Sequence, residues 1–326
     1  MSGLQQNRQS GRLVSLNAQL RLSLYLNVMA GGATIEVNGL SKRYAGSKSY
    51  ALNNLNIEVA QGEIYGFLGP NGAGKTTTIR LILGLIKPSS GHVKIFGLDS
   101  EAEKNAVHKR LAYVPAEAML WPSLTGAETL HLLGRIHGQT DQKYLKVLMD
   151  RFQFEPNKKV RSYSKGNRQK VNLIAALASR AELLIMDEPT AGLDPIMERA
   201  FRESAQEAKD RGQTIFLSSH ILSEVEALCD KLAILRGGKL VESGTLAQMR
   251  HLSAVTVEAV FEGEPPKLTG IAGVKNVVVN GHQLNCQIQG DISPLLTELA
   301  KAKPTSLLSR EPSLEELFLS LYGKEK

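Results

Sequence analysis

The chain has 326 residues, 42% of them hydrophobic and 22% charged, and carries a net charge of +7. At roughly 150 residues per domain this length suits two domains with substantial cores, which excludes wholesale disorder. No uninterrupted apolar run reaches the roughly 20 residues that a membrane-spanning helix needs. Cys229 and Cys286 lack metal-ligand spacing and read as ordinary thiols rather than a disulfide framework. The positive balance suits an anionic ligand, a nucleic acid or a lipid surface equally, so charge alone selects none of them.

Residues 1–33 form an extension with Arg8, Arg12 and Arg21 and no acidic residue. Leu20, Leu22, Leu24, Leu26 and Val28 alternate without a helical stripe. The segment reads as a disordered extension or an upstream start, with Met29 as the first residue, rather than as a targeting peptide. From Ala33 the pattern becomes alternating strands and helices. Short strands are predicted over residues 34–37, 55–59 and 62–68, and Ile79, Ile82, Leu83 and Ile86 follow at helical spacing. Residues 117–160 read as mainly helical, with stripes at Leu130, Leu133, Leu145, Leu148 and Met149. The runs 183–186 and 214–217 are continuous and apolar, as in parallel strands covered on both faces.

A composition change near His251 introduces three short strands, carrying Val255, Val257 and Val260, then residues 277–279, then Leu284, Cys286 and Ile288. Helices are predicted over 292–301 and 314–322. Val257, Val260, Val277 and Val279 are the expected core of this α+β appendix.

Between the strand over 62–68 and the following helix lies Gly69-Pro70-Asn71-Gly72-Ala73-Gly74-Lys75-Thr76, a G-x-x-x-x-G-K-[ST] loop. Its glycines let the backbone wrap closely, so that N–H groups and a helix N-terminus point at phosphate oxygens. Lys75 is expected to pair with β/γ-phosphates and the Thr76 hydroxyl to ligate Mg²⁺, with Thr77 adjoining. A second anchor, Leu183-Leu184-Ile185-Met186-Asp187-Glu188-Pro189, delivers two carboxylates at the end of a buried strand. Asp187 is the expected Mg²⁺-linked acid, and Glu188 the residue that polarises the attacking water.

These motifs resemble the ATP-binding subunit of ABC transporters over roughly residues 34–250. Tyr163-Ser164-Lys165-Gly166-Asn167-Arg168-Gln169 stands at the family's signature, with Asn167 20 residues ahead of Asp187. Ala191-Gly192-Leu193-Asp194 follows as the D-loop and Ser218-Ser219-His220 as the switch-histidine strand end. Tyr44 matches the aromatic that stacks on adenine. Ser164 is placed to cap a helix, leaving the Gly166 and Asn167 N–H groups facing outward.

The resemblance implies an α/β P-loop NTPase core over 34–250, a helical subdomain over about 117–165, and a small α+β accessory domain over 251–326. It implies ATP and Mg²⁺ as ligands, and a head-to-tail homodimer, or a pair with a related subunit, with ATP between protomers. In that arrangement Ser164, Gly166 and Asn167 meet the partner's nucleotide, Asp194 of the D-loop is a further nucleotide-binding residue, and His220 contacts the γ-phosphate near Glu188. The chain is then a motor subunit, peripheral at the cytoplasmic face of the cell membrane, coupled to separate multi-span permease subunits. Trp121-Pro122-Ser123-Leu124 is an apolar patch suited to that contact, or to the core.

Two departures from the family pattern stand out. Pro115-Ala116-Glu117 replaces the usual glutamine after the strand over 111–114, and Lys165 and Asn167 stand where the family has Gly and Gln. They resemble an exporter subgroup that also carries a small C-terminal domain. The rival reading is a soluble ABC-type ATPase acting on nucleic acid or ribosome complexes. Against it stand a single ATPase core, no long heptad coiled coil and no aromatic-interleaved basic stripe, so no nucleic-acid partner is expected. A binding-only subunit is disfavoured by intact Lys75, Asp187, Glu188 and His220.

Overall fold

A ten-residue strand, β1 (Ala33–Lys42), opens the computed structural model, which describes residues 32–310 apart from 118, 137, 139 and 252–254. The extension up to residue 31 and the helix expected over 314–322 lie outside the described residues. The described chain divides into two compact units. One runs to Ile221 and adds Ala227–Leu240; the other comprises Leu222–Glu226 and the residues from Val241 on.

In the first unit β1 pairs antiparallel with β2 (Leu52–Ala60), where buried Leu55, Ile57 and Val59 alternate with exposed Asn54, Asn56 and Glu58. That alternation is the mark of a sheet with one face on the core and one in water. After β3 (Ile64–Leu68) comes α1 (Lys75–Ile82), then β4 (Ser90–Ile95) and β5 (Leu98–Asp99), completing a sheet of order β2-β1-β4-β5. Helix α1 ends earlier than the apolar spacing suggested. Gly84 takes a left-handed φ of 62°, which stops the helix, and Ile86 packs on the core from beyond its end.

The chain continues through α2 (Lys104–His108), β6 (Leu111–Val114), α3 (Gly126–Ile136), α4 (Gln142–Arg151) and α5 (Lys165–Ala178). It then forms β7 (Leu183–Asp187), α6 (Pro195–Asp210), β8 (Thr214–Ser219), α7 (Leu222–Leu228), β9 (Lys231–Arg236), β10 (Lys239–Thr245) and α8 (Leu246–His251). Strands β6 to β10 join β3 in a sheet of order β10-β9-β3-β8-β7-β6, with β3, β6, β7, β8 and β9 paired parallel. Strands β3, β7 and β8 are buried along their whole length, as their continuous apolar runs require.

The segment 117–160 holds two helices rather than one continuous stretch. Thr125 and Glu128 form a reciprocal capping box at α3, and the Asp141 carboxylate accepts the Lys143 and Tyr144 N–H groups at α4. Of the expected stripe residues Leu130 and Leu148 are buried, while Leu133, Leu145 and Met149 are half-buried. Helix α4 is tied to α6 by polar contacts. The Glu207 carboxylate accepts two bonds from Arg151 and one from the Tyr144 hydroxyl.

The second unit contains β11 (Val255–Val260), β12 (Val274–Asn280), β13 (Gln283–Ile288), α9 (Ser293–Lys301) and β14 (Ser306–Arg310). The strands form one sheet of order β12-β13-β11-β14. The sequence does not announce the fourth strand, because among the described residues it pairs only with β11, nearly fifty residues earlier in the chain. The expected valine core is corrected in three of four positions. Val257 is buried, but Val260 is half-buried and Val277 and Val279 are exposed. Strand β12 lies at the sheet edge, so the core comes from the inner strands and α9: Leu284, Cys286, Ile288, Ala259, Leu295 and Leu299.

Candidate nucleotide site

The carboxyl ends of β3, β7 and β8 lie side by side, with Leu68 opposite Ser219 and Asp187 opposite Ser218. Loops leaving parallel strands at that edge form a crevice, and the sequence motifs fall there. Residues 69–74 bridge β3 to α1. Gly74 has a φ of 110°, and a Cβ there would lie 2.6 Å from the Ala51 carbonyl oxygen, so only glycine fits. The loop thus turns tightly enough to present the free N–H groups at the start of α1.

Lys75 is 5% exposed. Its ammonium donates to the Gly69 carbonyl at 2.7 Å and the Pro70 carbonyl at 3.3 Å, and lies 3.4 Å from Glu188 Oε1. His220 Nδ1 lies 3.3 Å from that same oxygen. Glu188 therefore stands between the loop lysine and the histidine. Its backbone takes a φ of 48°, a conformation costing a non-glycine residue about 1–3 kcal/mol. Such strain persists where surroundings over-determine it, and here the Glu188 N–H is held by Ser218, at 3.1 Å from Oγ and 3.2 Å from the carbonyl.

Ser218 was quoted in the sequence only as part of the histidine strand end. The structure makes it the link between the Asp187 carboxylate and the backbone of Glu188. Its hydroxyl accepts from Glu188 N–H and donates to Asp187 Oδ1 at 2.6 Å. Asp187 is 1% exposed, and its other oxygen, Oδ2, is buried with no hydrogen-bond partner among the described residues. A buried, unsatisfied carboxylate oxygen is costly unless a cation completes it, and a hard oxygen donor suits a divalent one. Thr76 is half-buried one residue after Lys75. On β6, Tyr113 has its phenol pushed up to about 12, by burial first and by the Asp187 charge second, which keeps it a hydroxyl.

Tyr44 is exposed beside this group, and its hydroxyl lies 3.4 Å from Thr77 Oγ1. The structure thus gathers Tyr44, Gly69, Pro70, Asn71, Gly72, Ala73, Gly74, Lys75, Thr76, Thr77, Asp187, Glu188 and His220 around one strand edge. Ser164, Gly166, Asn167 and Asp194 form a second cluster. Ser164 caps α5 as expected, but its Oγ accepts the Asn167 N–H at 3.2 Å. That amide is therefore taken by the cap rather than facing outward. Gly166 packs so closely on the D-loop that a Cβ would meet the Gly192 carbonyl oxygen at 2.5 Å. The Asp194 carboxylate caps α6, accepting from Ile196 and Met197 N–H. Buried Gln169 ties the two clusters together by donating to the Pro189 carbonyl at 3.2 Å.

Ala116 lines a cavity of about 370 Å³ with Glu117, Met119, Lys165, Arg168 and Gln169. Both departures from the family pattern, Ala116 and Lys165, therefore border one space. Met119 on its wall is 91% exposed; of the apolar patch, Trp121 is 43% exposed and Leu124 half-buried.

The profile of the family described as ABC transporter matches residues 52–191. The chain is 32% identical over 299 residues to Nod factor export ATP-binding protein I of Rhizobium etli, covering 89% of this chain and 94% of that one. It is 31% identical over 309 residues to linearmycin resistance ATP-binding protein LnrL of Bacillus subtilis, covering 89% and 98%. A solved structure of an ATP-binding subunit of an ABC transporter superposes with a TM-score of 0.62 at 34% identity, covering 67% of this chain and 92% of that one. The phosphate-loop geometry, the paired carboxylates and near full-length likeness agree: the chain belongs to the ATP-binding, ATP-hydrolysing subunits of ABC transporters.

Proposed function

We propose that this chain is the motor of an exporter and runs on Mg²⁺-ATP, with the nucleotide held by the Gly69–Thr77 loop and Tyr44. The observation that carries the reading is the convergence of Lys75 and His220 on one oxygen of Glu188, beside an Asp187 oxygen that lacks a partner. When bound, Mg²⁺ neutralises charge building on the β- and γ-phosphate oxygens. Asp187 Oδ2 and the Thr76 hydroxyl would be its protein ligands, and the Asp187 carboxylate is aimed by Ser218. Lys75 moves from the loop carbonyls to phosphate oxygens, better acceptors for an ammonium. Glu188 then orients the attacking water and takes its proton, while His220 holds Glu188 and the γ-phosphate in register.

Asn167 and the signature helix lie in the second cluster, and on this reading serve the nucleotide of a second protomer. A homodimer, or a pair with a related subunit, therefore closes around ATP and reopens after hydrolysis. On this reading that cycle is passed to separate membrane-spanning subunits through the surface that exposes Met119 and Trp121, and the chain works at the cytoplasmic membrane face. The export direction is supported by relatives named for export and for antibiotic resistance; nothing in them favours a nucleic-acid or ribosome role. We assign residues 34–250 to the ATPase domain, about 117–165 to its helical subdomain and 251–326 to the accessory domain.

Glu188→Gln tests the chemistry. The variant is expected to bind ATP and dimerise in light scattering while turnover falls about 10²–10⁴-fold, the usual loss of a general base. Hydrolysis at the wild-type rate would overturn the assignment of Glu188. Affinity isolation in mild detergent tests the motor: a stoichiometric multi-span partner supports it, and a soluble or nucleic-acid partner refutes it.

A further inference from the structure

Among the described residues strand β12 is an edge of the C-terminal sheet, laddered only to β13. Its consecutive residues Val277, Val278 and Val279 are 45%, 50% and 50% exposed. Neighbouring residues of a strand point to opposite faces, so this edge is apolar on both sides. On one side Val277 and Val279 border a groove of about 770 Å³, walled opposite by Pro265, Pro266 and Ile271. Protein edges are usually blunted by charge or proline. Here the strand's one charged residue, Lys275, sits ahead of a bulge at Asn276, where φ is 52°, and residues 277–280 carry none.

We propose that this edge pairs antiparallel with the same edge of a second copy of the chain, about a two-fold axis through Val278. A two-fold copy presents the strand in reverse. Val277 then faces the partner's Val279, Asn276 faces the partner's Asn280, and Lys275 faces the partner's Gly281. No like charges meet, and β-branched residues stack across the ladder. The sheet's other edge, β14, also exposes Leu307 and Leu308. Pairing β12 with that edge of a second copy is heterologous and leaves ends open, whereas self-pairing closes the assembly. Seven facing pairs cannot bury the roughly 1,200–2,000 Å² of a free-standing interface. The contact therefore forms between copies already held in one complex, where tethering raises the effective concentration to about the millimolar range. In that respect it rests on the two-protomer reading above.

The test uses the full chain. Cys229 and Cys286 are buried, so the wild type supplies the background. Mild oxidation of Val278→Cys is expected to give a disulfide-linked dimer on non-reducing gels. Its yield should exceed that of Leu308→Cys by about tenfold and rise further with ATP when Glu188→Gln is also present. An equimolar mixture of Val277→Cys and Val279→Cys chains is expected to give the mixed disulfide, which fixes the register. No dimer from Val278→Cys, or equal yields from Leu308→Cys, overturns the pairing. A dimer appearing only after truncation at Arg310 assigns the edge to residues 311–326 of the same chain, and also overturns it. ATP-dependent association of Glu188→Gln, read by light scattering without added cysteines, reports on the nucleotide sandwich alone, so the two readings fail separately.

Discussion

Replacing Ser218 with alanine removes one hydroxyl that serves the Asp187 carboxylate and the backbone N–H of Glu188. The Glu188 N–H keeps a partner, since the Ser218 carbonyl lies 3.2 Å away, but Asp187 Oδ1 loses its 2.6 Å donor. Asp187 is 1% exposed and water cannot readily substitute. A hydrogen bond to a buried charge contributes about 1.5–3 kcal/mol. At about 2 kcal/mol, and about 2–4 °C per kcal/mol for a domain of this size, Tm falls by about 4–8 °C. The functional effect is separate. Groups that orient a metal-ligating carboxylate are typically worth about 10–100-fold in metal affinity or activity. Calorimetry without nucleotide reads the first term; a Mg²⁺ titration of ATPase activity reads the second as a rightward shift. The reasoning is refuted if Ser218→Ala unfolds at the wild-type temperature with the wild-type Mg²⁺ dependence.

Three further outcomes are expected. Lys75→Ala removes the ammonium that spans the loop carbonyls and Glu188, and should weaken binding of a fluorescent ATP analogue about 10–100-fold; unchanged binding would remove Lys75 from the phosphate site. Glu207→Gln addresses pH. The Arg151 guanidinium hydrogen bonds, foremost, and the Tyr144 hydroxyl hold the Glu207 carboxyl below its ordinary 4.5. Its stabilisation is therefore complete above pH 4.5 and lost as pH falls through the lowered folded value. Part-exposure limits the advantage of wild type over Glu207→Gln to about 0.5–1 kcal/mol, and a Tm difference that grows on acidification would contradict the sign. Ala116→Gln restores a carboxamide into the 370 Å³ cavity beside Lys165, and should alter the Mg²⁺ dependence of hydrolysis or its stimulation by membrane subunits. No change in either would make the position functionally silent.

The phosphate loop and the Asp187-Glu188 pair were legible in the sequence because each is a contiguous run whose chemistry depends on local backbone. A glycine-rich turn between a buried strand and a helix has few other uses, and the parallel strands announced themselves by unbroken apolar runs. Ser164 as the α5 cap was equally local. What stayed hidden depended on residues far apart in the chain. Ser218 meets Asp187 only because β7 and β8 pair in that register. The left-handed backbone of Glu188, whose carboxylate lies between Lys75 and His220, is held by the Ser218 bonds to its N–H and leaves no mark on residue type. The Asn167 N–H could be assigned to the cap only once the helix start was placed.

The C-terminal sheet marks the limit most clearly. Its clustered valines correctly indicated strands, since β-branched residues suit a pleated surface wherever it lies. Whether a strand is central or at an edge is decided by which partners it finds, and that follows from the whole chain. Strand β13 therefore buries Leu284, Cys286 and Ile288, while β12, with a more apolar sequence, leaves Val277, Val278 and Val279 in water. Local pattern determined the elements and the phosphate chemistry of this protein; strand order and register decided which carboxylate is held by which hydroxyl, and which apolar edge is left to meet a partner.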